Sequence, residues 1–202
     1  MIVAVFSDVH GNINALNKVM NQIKECNADL IIFLGDIFQR GNSEIECLDL
    51  LKSSDIICLK GNCELYLEHG VEIDPDVEYL KDYYDEMRSQ LSSEQIQFVQ
   101  EMPLLYQVES GGYKMRFSHF LFSDIDAKYP FLQLSDLNNG VFDKTCDSEE
   151  IKKFDLIAIG HSHKNFVKGN VVSVSSIGLE GPSYLLIEVN DDGLCFQHID
   201  II

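Results

Sequence analysis

Two aspartates, four histidines and one asparagine stand a few residues behind apolar runs in this 202-residue chain. Asp8 and His10 follow Ile2–Phe6, Asp36 follows Leu30–Leu34, and Asn62 follows Ile56–Leu59. His119 follows Tyr113–Phe117, and His161 and His163 follow Leu156–Ile159. Carboxylate, imidazole and amide together form a mixed oxygen and nitrogen donor set. It suits manganese first, with iron, nickel, cobalt or zinc as alternatives, and suits calcium or magnesium less well. A carboxylate such as Asp36 can bridge two divalent ions about 3.5–4 Å apart, the usual spacing in hydrolytic two-metal sites. Such a pair acidifies a shared water, yields a bridging hydroxide near neutral pH, and clamps phosphoryl oxygens during in-line attack. A lone histidine is more often a satisfied core or surface residue than a ligand, and His69 and His198 are assigned to that class. The other four each close an apolar run, which sets them apart.

The runs themselves have the character of strands. Ile2–Phe6 is short, continuous and rich in β-branched residues, as expected of a strand buried on both faces. Ile13, Leu16, Val19, Met20 and Ile23 recur at helical spacing, so a helix is expected over 13–26, and a second over 43–52. Strands alternating with helices indicate a parallel sheet built from βαβ units. In such sheets ligands bind beyond the strand ends, so strands sharing a sheet would bring all seven side chains to one rim.

Residues 76–101 are charged and helical in pattern, an expected helical insert. Leu104–Val108 and Tyr113–Phe117 flank Ser110-Gly-Gly112 and form an expected hairpin. The stretch 120–146 lacks periodicity and is expected to be irregular; its aromatic residues Phe120, Phe122, Tyr129 and Phe131 suit core packing better than base stacking. Two further hairpins are expected near the end, Phe166–Lys168 with Val171–Ser175 and Tyr184–Val189 with Leu194–Ile199. With no internal repeat or linker, the whole of 1–202 is expected to form a single domain.

The net charge of -18, from 15 basic and 33 acidic residues, argues against long nucleic acids and anionic membranes as partners. An acidic protein that attacks anions needs positive charge inside its site, which bound metal would supply. The six cysteines include no CxxC pair, so a zinc knuckle is not expected. Reduced cysteines and a cytoplasmic location are expected, because the first apolar run is too short for a signal core or a membrane span. The sequence leaves homo-oligomerisation open.

The order Asp8-Val-His10, Gly35-Asp36, Gly61-Asn62-Cys63-Glu64, His119, Gly160-His-Ser-His163 resembles the calcineurin-like metallophosphoesterase family. The likeness is greatest to its small bacterial and archaeal phosphodiesterases and runs from residue 2 to about residue 189. It implies an α/β fold, a four-layer α/β/β/α sandwich with the site at the strand ends. It also implies that Asp8, His10, Asp36 and His163 hold one ion and that Asp36, Asn62, His119 and His161 hold the other. Asp36 would bridge, and Asp36 and Asn62 would also act in catalysis. The implied activity is phosphoester hydrolysis on a small substrate, a phosphodiester above all. A small-nucleotide phosphatase and a non-catalytic metal-binding scaffold on the same fold are the alternatives.

Three further residues are candidates for substrate contact. Arg40 completes Gly-Asp-Ile-Phe-Gln-Arg-Gly, matching a string found in many relatives, and an arginine can present a fork to phosphate. Asn12 could touch substrate, although capping the helix suits it better. Cys63 departs from the pattern, because many relatives carry a histidine there that is thought to protonate the leaving group beside the acid. A thiol with a pKa near roughly 8.5 replaces it poorly, which favours substrates with good leaving groups. His69 is a weak substitute donor. The stretch Ser173-Val-Ser-Ser176, followed by Ile177-Gly178, also departs from the family pattern and offers no ligand.

Overall fold

The computed structural model describes residues 1–71, 75–121, 148–179 and 181–202. Among the described residues, ten strands form two five-stranded sheets. The first has the order β10-β9-β1-β2-β3, with β1 Ile2–Phe6, β2 Leu30–Phe33, β3 Ile57–Cys58, β9 Ser183–Asn190 and β10 Gly193–Asp200. The second has the order β4-β5-β6-β8-β7, with β4 Leu105–Ser110, β5 Tyr113–Ser118, β6 Leu156–Ile159, β7 Phe166–Lys168 and β8 Val171–Ser173. β1, β2 and β3 run parallel, as do β5, β6 and β8.

Alternation along β1 shows how the layers form. Ala4 and Phe6 enter a core shared with the helices, whereas Val3 and Val5 enter a core between the sheets. The helical layer contains α1 Ile13–Glu25, α2 Glu44–Lys52, α3 Asn62–His69, α4 Lys81–Gln90 and α5 Ser93–Glu101. Between the sheets, Ile32, Leu34 and Ile187 face Met115, Phe117, Ala158 and Val172. The outer face of the second sheet carries Ile157, Ile159 and Val171 under the 3-10 turn Ile151–Lys153, with Phe154 and Leu121. This is the mixed α/β layering expected from the sequence.

Most expected elements are present within a residue or two. The 76–101 region contains α4 and α5, and all three hairpins form, although the second strand of the middle one stops at Ser173. Residues 122–147, which hold most of the expected irregular region together with Phe122, Tyr129, Phe131 and Cys146, lie outside the described residues. α3 was not expected, because Leu65, Tyr66 and Leu67 are buried in succession and give no helical period. The signal present is Gly61 three residues before Glu64: the Glu64 side chain accepts the Gly61 N–H at 2.7 Å, as the acidic member of a capping box does. Among the described residues Cys26, Cys47, Cys58, Cys63 and Cys195 are free thiols, and no helix is long and apolar enough to cross a membrane.

Candidate metal centre

The strands that carry the seven donors do not share one sheet. Asp8, His10, Asp36 and Asn62 follow β1, β2 and β3 of the first sheet, whereas His119, His161 and His163 follow β5 and β6 of the second. The donors converge because the C-terminal ends of both sets open at the same place. The sheets are tied there directly, since the His161 N–H donates to Asp8 Oδ2 at 3.2 Å.

The loops that present the donors are held in costly conformations. Asp8, His10, Asp36, His161 and His163 all have positive φ, between 45° and 69°. A non-glycine residue there costs about 1–3 kcal/mol, and it persists only where its surroundings impose it. Here backbone lacing does so. The N–H groups of Asp8, His10 and Gly11 donate to the carbonyls of Gly35, Asp36 and Ile37 at 2.9, 3.1 and 2.8 Å. From the other side, Ser176 Oγ and the Gly178 N–H both donate to the Asp8 carbonyl, at 2.7 and 3.1 Å. The stretch that departs from the family pattern therefore braces Asp8 rather than supplying a ligand.

Ligand atoms of Asp8, His10, Asp36 and His163 lie within 4.8 Å of one another, and so do those of Asp36, His119 and His161. Asp36 belongs to both groups. Asn62 joins the second, with Oδ1 3.0 Å from His161 Nδ1. In the first group Asp8 Oδ1 lies 3.1 Å from His163 Nε2 and 3.7 Å from His10 Nε2. The Phe38 carbonyl is 2.9 Å from His10 Nδ1, so that nitrogen carries the proton and Nε2 is free to ligate.

The donors fit a cation better than they fit one another. Asp8 Oδ1, both ring nitrogens of His119 and His161 Nε2 are buried without a hydrogen-bond partner among the described residues. Buried polar atoms are otherwise nearly always satisfied. Burial alone would raise the Asp8 and Asp36 carboxyls, but the adjacent imidazoles, His119 above all, outweigh it and hold both below the usual range. Burial works against a charge on His119 as well, yet Asp36 and Asp8 push it up to about 9. Burial and then His119 lower His161 to about 4. Two buried carboxylates thus face the imidazoles where a cation would offset their charge.

Two glycines make the close approach possible. A Cβ on Gly160 would overlap Ser7 Oγ and come within 2.9 Å of Asp8 Oδ2. A Cβ on Gly61 would overlap Asp36 Oδ1 and lie 2.7 Å from the Asp36 nitrogen. Gly61→Ala is therefore expected to displace Asp36. Calorimetric manganese titration should show an affinity loss of at least about tenfold, and denaturant unfolding a stability loss of about 1–3 kcal/mol, typical of overpacking.

The chain matches the sequence profile of calcineurin-like phosphoesterases over residues 1–165. It belongs to that family. This calcineurin-like phosphoesterase is 29% identical over 178 residues to an uncharacterized protein of Methanocaldococcus jannaschii, covering 85% of this chain and 67% of the other. A hypothetical protein from Pyrococcus horikoshii OT3 superposes with a TM-score of 0.70 at 18% identity, covering 99% of this chain and 87% of that one. A metallophosphoesterase from Sphaerobacter thermophilus does so with a TM-score of 0.64 at 20% identity, covering 100% and 90%. These two likenesses establish the fold. The family is one of metal-binding phosphoester hydrolases, and in this phosphoesterase Asp8, His10, Asp36 and His163 are so arranged that they could hold a metal.

The residues singled out for substrate contact lie in three different settings. Arg40 is exposed, on a turn with φ of 74°, and has no hydrogen bond or ion pair among the described residues. Asn12 caps α1: its Oδ1 accepts the Ala15 N–H at 3.1 Å and its Nδ2 donates to the Gly178 carbonyl at 3.2 Å. The Cys63 side chain has 0% exposure and packs in the helical core, so its thiol has no surface to offer a substrate. Burial, with Asp36 and Glu64 beside it, pushes the thiol well above its usual range. His69 is half-exposed, 3.6 Å from Glu68, and His198 faces the Ser173 carbonyl at 2.9 Å.

Glu64 has a role that the motif reading missed. It is fully buried and accepts three backbone N–H groups: Asp36 and Gly61 on Oε2 at 2.8 and 2.7 Å, and Ile37 on Oε1 at 2.8 Å. It ties the loop of Asp36 to the start of α3, where Asn62 sits. Burial and the charge of Asp36 raise its carboxyl to about 7 against the effect of those three donors.

Proposed function

We propose that this phosphoesterase is a dinuclear metal-dependent phosphodiesterase acting on small substrates. The observation that carries the reading is the division of the donors into two groups that share Asp36. Asp8, His10, Asp36 and His163 would hold one ion, and Asp36, Asn62, His119 and His161 the other. The bound ions would supply Lewis acidity and an activated water nucleophile for in-line attack at phosphorus. Asp36 would be shared between the two ions, His10 is oriented by the Phe38 carbonyl, and Asn62 would stabilise charge developing on the phosphoryl oxygens. Manganese heads the candidate ions, followed by iron, nickel, cobalt and zinc.

The preference for diesters with good leaving groups follows from residues 63 and 64. The first is a buried thiol and the second is committed to three backbone N–H groups, so neither is placed to donate a proton to a departing alkoxide. Exposed Arg40 is the candidate contact for a non-bridging phosphate oxygen. The net charge of -18 disfavours long nucleic acids, and free thiols suit the cytoplasm.

A manganese-reconstituted screen tests the reading. Bis-p-nitrophenyl phosphate is expected to be turned over with a higher kcat/KM than p-nitrophenyl phosphate. Cyclic nucleotides and dinucleoside polyphosphates complete the panel. Protein that takes up no transition metal and cleaves none of these would refute the proposal. Arg40→Ala is expected to raise KM for the diester about tenfold or more, the loss of one charge-assisted contact, with a smaller effect on kcat.

A further inference from the structure

Tyr83 belongs to no ligand set and to no motif, yet its hydroxyl meets the loop that follows Asp36. The Gln39 N–H donates to the Tyr83 hydroxyl oxygen at 2.6 Å, and that hydroxyl donates to Glu44 Oε1 at 3.3 Å. Glu44 is itself buried at the start of α2. Gln39 and Arg40 have φ of 72° and 74°, two consecutive non-glycine residues in the left-handed region. Such a turn holds only where its neighbours impose it.

The neighbours on one side belong to the metal loop. The Phe38 carbonyl faces His10 Nδ1 at 2.9 Å, and Gly41 packs so closely on the His10 carbonyl and Gly11 that no Cβ fits there. Gly11 in turn lies against the Glu44 side chain, where a Cβ would meet Cδ at 2.8 Å. On the other side the turn is fastened by Tyr83, from α4. Residue 40 sits between these two fastenings, exposed, with its guanidinium unengaged among the described residues. A turn locked on both flanks beside a metal ligand, carrying one free cation, is suited to presenting that cation to an anion at the metal centre.

We propose that Tyr83, together with Glu44, is a positioning residue that fixes the Gln39–Gly41 turn so that Arg40 meets the phosphate of the substrate. This rests on the phosphoesterase reading of Arg40 given above. It assigns to the helical segment that contains α4 a part in substrate binding, beyond packing.

A double-mutant cycle on the manganese-loaded full chain tests it, with inorganic phosphate as the ligand and calorimetry as the readout. Tyr83→Phe keeps the ring and removes the hydroxyl, and is expected to weaken phosphate about fivefold to tenfold, the scale of one lost hydrogen bond. Arg40→Ala weakens phosphate at least as much, and the double variant binds no more weakly than Arg40→Ala alone. Manganese content remains at the wild-type level in Tyr83→Phe. The proposal is overturned if Tyr83→Phe stays within about twofold of wild type, a difference smaller than a hydrogen bond supplies. It is equally overturned if the loss recurs undiminished in the Arg40→Ala background, or if wild-type protein binds no phosphate. Should Tyr83→Phe fail to fold, Glu44→Gln replaces it in the cycle, and additivity with Arg40→Ala again overturns the idea. A wild-type protein that binds phosphate with the expected coupling but cleaves no ester would refute the hydrolytic reading and leave this inference standing.

Discussion

Asp36→Ala is expected to strip both ions from the proposed dinuclear centre and to lower kcat/KM by more than about a thousandfold, or about 4 kcal/mol of transition-state stabilisation. The size of the effect comes from position. Asp36 is the residue common to both donor groups, and it also accepts the Cys63 N–H on Oδ1 at 2.9 Å at the start of α3. Removing the side chain deletes the shared ligand and leaves a buried backbone donor unpaired, so two losses combine. Asp36→Asn separates them. Its carboxamide oxygen can still accept from Cys63, while the charge and one bridging oxygen are gone. Metal analysis should find Asp36→Asn nearly as depleted as Asp36→Ala, whereas denaturant unfolding should find it closer to wild type by about 1–3 kcal/mol, the cost of one unsatisfied buried group. Full two-metal occupancy in either variant would show that Asp36 does not bridge.

The grouped donors were legible in the sequence as candidates because each stands just beyond a run apolar enough to read as a buried strand. Asp8-Val-His10 after Ile2–Phe6 and Gly160-His-Ser-His163 after Leu156–Ile159 are local patterns, and the strands they end survive intact in the fold. What stayed hidden depends on contacts between residues remote in the chain. No local pattern shows that β1 and β6 lie in different sheets, because buried parallel strands look alike wherever they pair. The brace of Ser176 on Asp8 spans 168 positions, and nothing about a serine in a polar loop marks it out. Gly61 was legible as part of a motif, but the reason for glycine, the contact with Asp36 Oδ1, became visible only in three dimensions. Tyr83 lay within a correctly expected helical region and looked like one aromatic among many. Glu64 is the most instructive case, because the motif showed its place but not its role. An acidic residue beside a metal ligand suggests acid chemistry, but a carboxylate wholly out of solvent and saturated with backbone donors is a structural clamp.

That clamp leads to the second large effect. Glu64→Ala exposes the N–H groups of Asp36, Ile37 and Gly61 to a dry cavity. Each unsatisfied buried donor costs about 1–3 kcal/mol, so the variant should lose roughly 3–6 kcal/mol even if the site relaxes in part. Domains of this kind hold only about 5–15 kcal/mol in total, so Glu64→Ala should be marginal at best. Glu64→Gln is expected to be graded rather than severe. Its one remaining oxygen can take the Oε2 place and keep Asp36 and Gly61, while its amide nitrogen faces the Ile37 N–H and loses that single bond, a cost of about 1–3 kcal/mol. The same order should appear in metal affinity, because the bonds at risk join the loop of Asp36 to that of Asn62. Glu64→Gln should weaken manganese less than Glu64→Ala, and both should regain thermal stability when saturated with metal, since binding to the folded state alone adds stability with ligand concentration. If Glu64 were instead a proton donor to the leaving group, Glu64→Gln would fold and load metal like wild type and fail only in turnover. Unfolding curves and metal titrations of this one variant therefore distinguish the clamp from the acid.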